Sequence, residues 1–149
     1  MKIAIITSTG GHLYQIMLMK PWWSQFDRFF VTFNKPDSNF FLKKEKVYFG
    51  YFPENKNIFN ALRHLFLAYE IFLKEKPNLV FSIGAGIAPP FFLVAKLLRI
   101  KMIFIEPYDF IFSPSLSGKL IYQLGGDFFI QHEELRKKMK RARYVGSII

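Results

Sequence analysis

Two glycine-bearing segments and two isolated polar side chains hold the residues best suited to chemistry in this chain. Ser8-Thr9-Gly10-Gly11-His12 follows the apolar run Ile3 to Thr7, and Ser82-Ile83-Gly84-Ala85-Gly86-Ile87-Ala88-Pro89-Pro90 follows Leu79 to Ile83. A strand that turns through glycines into a helix brings backbone close to a ligand and aims first-turn N–H groups at it. Both segments therefore read as phosphate or diphosphate cradles, with Ser8, Thr9, Gly10, Gly11, Gly84 and Gly86 as binding positions. The first lacks the third glycine of a dinucleotide fingerprint, and no Gly-Lys-Ser/Thr follows it as in a Walker loop. His12 stands just after the first glycines, where an imidazole can act as general base on a hydroxyl or bind phosphate. Glu106 ends the apolar run Lys101 to Ile105. It could bind a sugar hydroxyl, orient His12, or cap a nearby helix.

These residues need a scaffold that gathers them, and the hydrophobic pattern supplies one. Strands are expected at Ile3 to Thr7, Arg28 to Phe33, Lys46 to Phe52, Leu79 to Ile83, Lys101 to Ile105, Asp127 to Gln131 and Ala142 to Val145. Helices are expected at His12 to Lys20 (stopped by Pro21), Asn57 to Lys76, Pro90 to Arg99, Ser115 to Leu124 and Glu133 to Met139, with Asn34 to Ser38 a loop. Asn57 or Asn55 can cap the longest helix, and Ser113 or Ser115 the one near residue 115. Strands alternating with helices predict an α/β fold, a Rossmann-like parallel sheet with helices on both faces. Ligands of such sheets bind at the carboxyl ends of the strands. Residues 1–149 read as one domain, with no internal repeat and no linker.

Composition narrows the partners. The 149 residues carry a formal net charge of +10, nineteen Phe and no Cys. Disulfides, thiolate metal sites and a cysteine nucleophile are excluded, and His12, His64 and His132 show no metal-ligand spacing. No metal and no cofactor is expected. Excess charge favours an anionic partner, and excess aromatic residues favour an exposed apolar surface. Trp22, Trp23, Phe40 and Phe41, near Lys43 and Lys44, form the candidate membrane-surface set, with Tyr14, Met17 and Lys20 beside it. The stripe from Ile58 to Leu73 is wider than one core face requires, so part of it is free for a membrane or a partner. The basic run Arg136 to Arg143 suits anionic lipid, nucleic acid or a solvated face. No segment has the length and hydropathy of a membrane span, and the apolar start is too short for a signal-peptide core. Peripheral attachment at the cytoplasmic face is therefore expected.

The order of Ser8-Thr9-Gly10-Gly11-His12, Ser82-Ile83-Gly84-Ala85-Gly86, Ile105-Glu106, Ser117-Gly118-Lys119 and Tyr144-Val145-Gly146 resembles the bacterial polysaccharide-biosynthesis family of PssD type. That family is similar to the membrane-recruiting subunit of the eukaryotic split N-acetylglucosaminyltransferase of dolichol-linked glycan assembly. The resemblance implies the N-terminal, acceptor-side half of a GT-B glycosyltransferase. It also implies a separate donor-binding subunit that holds a UDP-sugar, a lipid-diphosphate-linked sugar acceptor, and a membrane surface. In a one-chain relative acting on the peptidoglycan lipid precursor, the positions matching Gly10, Gly11, His12, Gly84 and Gly86 face the lipid diphosphate, and Glu106 matches a glutamate after the fifth strand. The first loop here has fewer glycines than that relative. The eukaryotic subunit generally begins with a membrane-spanning segment that this chain lacks. Two other classes stay open. A small free-standing nucleotide-sugar enzyme would want an acidic ribose-binding residue after the second strand, where Asp37 lies near a proline. A basic nucleic-acid-binding module fits the charge but not the apolar strands ending in glycine loops, so no nucleic-acid partner is expected.

Overall fold

Strands of two to six residues, most of them apolar, pair into a sheet in the computed structural model, which describes residues 1–53 and 57–149. The strands are β1 (Lys2–Ile6), β2 (Asp27–Thr32), β3 (Val47–Phe49), β4 (Leu79–Ser82), β5 (Lys101–Ile105), β6 (Asp127–Ile130) and β7 (Arg143–Tyr144). The helices are α1 (Gly11–Leu18), α2 (Lys20–Trp23), α3 (Pro36–Phe41), α4 (Ile58–Glu75), α5 (Ala88–Leu97) and α6 (Leu116–Leu124), with a short 3-10 helix at Glu133–Lys137. All strands are parallel, in the order β3-β2-β1-β4-β5-β6-β7. Chain order runs outward in both directions from β1 and β4, which pair directly with Ile5 opposite Phe81. The crevice at that reversal is where open α/β sheets bind ligands. The two glycine segments leave the sheet from these neighbouring strands.

Alternation along each strand feeds two cores. Ala4, Ile6, Phe29, Val31, Val80 and Phe104 pack under α4, α5 and α6 on one face. Ile3, Ile5, Phe30, Phe81 and Ile105 pack against Leu13 and Ile16 of α1 and Trp23 of α2 on the other. The longest helix starts at an Asn57 side chain that accepts the Asn60 N–H, and it ends at Lys76 in the left-handed region, just before Pro77. Asn55, the other expected cap, lies outside the described residues. At the opposite edge from the ligand crevice, Glu75 ties the end of α4 to the sheet through Lys2, Lys46 and the Tyr48 hydroxyl. Burial pushes this carboxyl up, but those hydrogen bonds outweigh it and hold it at about 2.

Two helices occur where the sequence predicts an end and a loop. Pro21 stands inside the first turn of α2, and Pro36 opens α3. Proline is at home in a first helical turn, where its missing N–H has no partner to lose. The expected helix from Glu133 to Met139 is the 3-10 turn alone, and the last strand shrinks to two residues.

Candidate functional site

The site begins with Gly10, whose φ of +73° turns the chain from β1 into α1. Only glycine takes that conformation without steric cost. A side chain at Gly10 or Gly11 would meet no atom within 4 Å, so the space above this turn is open. One cradle group is already engaged, because Gly10 N–H donates to Asp37 Oδ2 at 2.6 Å. Asp37 is therefore held at the phosphate turn rather than free for a ribose. An incoming phosphate there would displace this carboxylate or rely on the next first-turn N–H groups of α1. Thr9 is half-buried, whereas Ser8 is buried and turns its hydroxyl to the Thr9 carbonyl.

His12 reaches across to the second glycine segment. Its Nδ1 lies 3.1 Å from the Ile83 carbonyl. A carbonyl only accepts, so Nδ1 carries the proton of the neutral ring and Nε2 keeps its lone pair. That is the tautomer a general base requires. Gly84 supplies the room. At φ +81°, a Cβ there would lie 2.3 Å from Pro107 Cγ and 2.8 Å from His12 Cε1. Ala85 also has a positive φ, +101°, a strained value for a residue with a side chain. Ser117 of α6 donates to the Ala85 carbonyl at 2.9 Å and holds this turn in place. Gly86 is half-buried and lines a cleft that also holds His12.

That cleft has a volume of about 660 Å³ and is walled by α4, α5 and α6. With His12 and Ser117 at one end and aliphatic side chains along its length, it joins the glycine turns to an exposed apolar face.

Comparison with known proteins now bears on this arrangement. Residues 46–148 match the family described as oligosaccharide biosynthesis protein Alg14 like. The chain belongs to the Alg14-like family. The human UDP-N-acetylglucosamine transferase subunit ALG14 is 26% identical over 98 residues, covering 62% of this chain and 45% of that protein. The UDP-N-acetylglucosamine--N-acetylmuramyl-(pentapeptide) pyrophosphoryl-undecaprenol N-acetylglucosamine transferase of Staphylococcus aureus (strain JH9) is 29% identical over 96 residues, covering 63% of this chain and 26% of that protein. This Alg14-like chain thus spans less than half the length of these relatives. Its fold matches the crystal structure of Acinetobacter baumannii MurG with a TM-score of 0.76 at 17% identity, over 89% of this chain and 42% of that one. It also matches the UDP-N-acetylglucosamine 2-epimerase of Rickettsia bellii with a TM-score of 0.79 at 14% identity, over 99% and 45%. The fold is the N-terminal Rossmann-like half of GT-B proteins. The Alg14-like match begins at β3, so it covers the second glycine segment and Glu106, whereas the first lies before it.

Glu106 takes the capping role in this Alg14-like chain. It is fully buried, and its Oε1 accepts the Ser115 N–H at 2.5 Å at the start of α6. Ser115 in turn caps α6 by accepting the Gly118 N–H. A Cβ at Gly118 would lie 1.9 Å from Glu106 Oε2, so that glycine makes the space for the carboxyl. Glu106 makes no contact with His12 and has no surface to offer an acceptor hydroxyl, which corrects its expected catalytic role. Burial raises its carboxyl to about 7, against the lowering effect of the Ser115 hydrogen bonds. A carboxyl that binds its proton more tightly in the folded state favours folding while protonated. Stability should therefore fall as pH rises from 4.5, the ordinary value, through about 7, by at most about 3 kcal/mol. Urea unfolding at about pH 5 and about pH 8 checks this. Glu106→Gln keeps the acceptor for Ser115 and should flatten that part of the pH dependence; an unchanged slope would show the cost lies elsewhere.

Two buried glutamines escaped the sequence reading. Gln131, at the end of β6, donates to the Glu106 carbonyl at 3.0 Å and to Gln15 Oε1 at 3.2 Å, and accepts the Ile148 N–H. Gln15 also accepts the Tyr108 N–H. This network fixes α1, and thus His12, against the ends of β5 and β6. For Gln131 the available signal was the one used for Glu106: a polar residue directly after an apolar strand.

The membrane-surface set divides. Trp23 is fully buried, and its indole N–H donates to the Ile16 carbonyl at 2.7 Å. Trp22 is half-buried and packs edge-on against Phe81. Trp23 is corrected to core, because α2 folds inward onto the sheet, while Trp22 packs against that core and stays partly exposed. Phe40, Phe41, Lys43 and Lys44 are exposed beside α3. A larger apolar surface lies on the opposite side of the sheet, where Ile58, Phe59, Phe66 and Leu73 of α4, Leu97 of α5 and Leu116 of α6 are each at least 50% exposed. The basic run borders it, with Arg141 stacked on Tyr122 of α6 and Lys138 donating to Ser113. Among the described residues, no helix is long and apolar enough to cross a membrane.

Proposed function

We propose that residues 1–149 form the acceptor-side unit of a two-component glycosyltransferase that extends a lipid-diphosphate-linked sugar. The observation that carries this reading is the meeting of both glycine turns and His12 at the topological reversal of a GT-B-type half, in an Alg14-like chain. A donor-binding subunit supplies the UDP-sugar; UDP-N-acetylglucosamine is the donor named in the relatives' descriptions. This chain receives the diphosphate at Gly10, Gly11 and Gly86. His12 Nε2 takes the proton of the acceptor hydroxyl as its oxygen attacks the anomeric carbon, and the nucleotide diphosphate leaves. Glu106 acts only by capping α6.

Attachment is peripheral, at the cytoplasmic face. The exposed face of α4, α5 and α6, flanked by the basic run, supplies the lipid contact, in keeping with apolar residues beside cations at an anionic interface. Phe40, Phe41, Lys43 and Lys44 lie on the other side of the sheet and are free for the partner subunit.

The test is transfer from radiolabelled UDP-N-acetylglucosamine to membrane lipid acceptor, with this chain alone, its donor-binding partner alone, and the two together. Incorporation is expected only in the mixture. Robust incorporation by this chain alone would make it a complete enzyme and end the two-component reading.

A further inference from the structure

The cleft beside His12 contains more than a diphosphate requires. Its inner end presents His12, Gly86 and Ser117. Its outer walls are Ile58, Leu62, Leu93, Leu116 and Leu120, which remain between 38% and 74% exposed. These side chains face one another across a groove without closing it. A sugar or a nucleotide needs hydrogen-bonding partners along its length, and apart from Gln123 the walls away from His12 and Ser117 are hydrocarbon. A volume of about 660 Å³ is that of a ligand site rather than a packing defect.

The polarity of the groove matches one kind of molecule. Its inner end adjoins the positive end of the α1 dipole, where the Gly10 N–H holds the Asp37 carboxylate that an incoming diphosphate would displace. Anionic charge is favoured there and hydrocarbon beyond it. The outer end opens onto the exposed face of α4 and α6, so a chain longer than the groove can continue outward. Resting on the acceptor reading above, we propose that this groove binds the diphosphate-proximal isoprene units of the acceptor's lipid tail. The tail is thereby a recognised part of the substrate: it anchors the diphosphate beside His12 and sets the depth at which the acceptor sugar is presented.

Binding to the full chain, measured calorimetrically below the micelle limit, tests this. The probes are inorganic diphosphate and geranyl, farnesyl and geranylgeranyl diphosphate. Each buried methylene can add up to roughly fourfold in affinity. The series should therefore tighten by about a hundredfold or more from inorganic to geranylgeranyl diphosphate, and level off once the groove is full. Ala61→Trp, which fills the groove from α4, and Leu120→Glu, at an exposed position of α6, should both flatten the series and leave inorganic diphosphate binding unchanged. Phe66→Ser, on the exposed face of α4 outside the groove, should weaken binding to anionic vesicles and leave the series intact. A flat series in the unaltered chain would overturn the proposal. So would a series unaffected by both groove variants, or one lost in Phe66→Ser, because the tail would then lie on the outer face. Incorporation in the two-protein mixture is read separately. A mixture that transfers sugar while the series is flat removes the groove and leaves the acceptor reading standing; an inactive mixture with a steep series does the reverse.

Discussion

Replacing His12 with alanine is expected to lower kcat/KM of the reconstituted two-protein transfer by about 10²–10⁴-fold, the usual contribution of a positioned general base. The expectation rests on tautomer geometry. Nδ1 is committed to the Ile83 carbonyl at 3.1 Å, so in the neutral ring Nε2 is the acceptor, on a half-buried side chain that lines the cleft. Steady-state kinetics separate the base role from simple phosphate binding. Loss of a base lowers kcat, whereas loss of a ground-state phosphate contact raises KM with kcat retained. Thermal unfolding of the variant should stay close to the parent, since the half-buried side chain makes a single hydrogen bond. Unchanged turnover in the mixture would remove His12 from the chemistry.

The second large effect is at Gly84. Gly84→Ala should destabilise the chain by about 3 kcal/mol or more, from a positive φ imposed on a side-chain-bearing residue and from overpacking. The new Cβ would lie 2.3 Å from Pro107 Cγ and within 3 Å of two His12 ring atoms. Relief requires moving either the β5–α6 loop or the imidazole, so transfer should fall further than stability alone explains. Gly11→Ala is the natural control for stability. Gly11 is not among the positive-φ residues, and a Cβ there meets nothing within 4 Å. Denaturant midpoints of the two variants give the comparison; equal midpoints would mean that the Gly84 turn can relax at no cost.

Some of this architecture is legible residue by residue. The strand at Lys101–Ile105 agrees at both ends with its apolar run, and the longest helix agrees within a residue at each end. Asn57 and Ser115 cap the helices they were expected to cap. These are local features: a period, a cap, a proline after the end. The misses at α2 and α3 are local as well. A proline closes one helix and opens the next with equal ease, and the residues on either side of Pro21 do not say which.

The membrane set shows a different limit. Aromatic residues beside lysines describe an interfacial surface and a buried turn equally well. A helix as short as Lys20–Trp23 has barely one turn in which to reveal a face. Trp23 points inward because β2 and α1 leave a gap beside Phe30, which it meets edge-on at 5.4 Å. Conversely, the width of the stripe on α4 was visible in sequence, but only packing decides that Ile71 and Phe72 are buried while Ile58, Phe59 and Phe66 are not.

By itself the sequence determined the parallel α/β sheet and the two glycine turns at strand ends, because these depend on short-range periodicity and residue order, and the order of its motifs carried the resemblance to a split transferase. Tertiary structure decided how those pieces meet. His12 and Ile83 are 71 positions apart, and they touch because β1 pairs with β4. Glu106 is the cap of α6 rather than a partner of His12 because Ser115 and Gly118 enclose its carboxyl. Strand order is fixed by packing layers of helices on both faces, a balance over the whole chain that no local window contains.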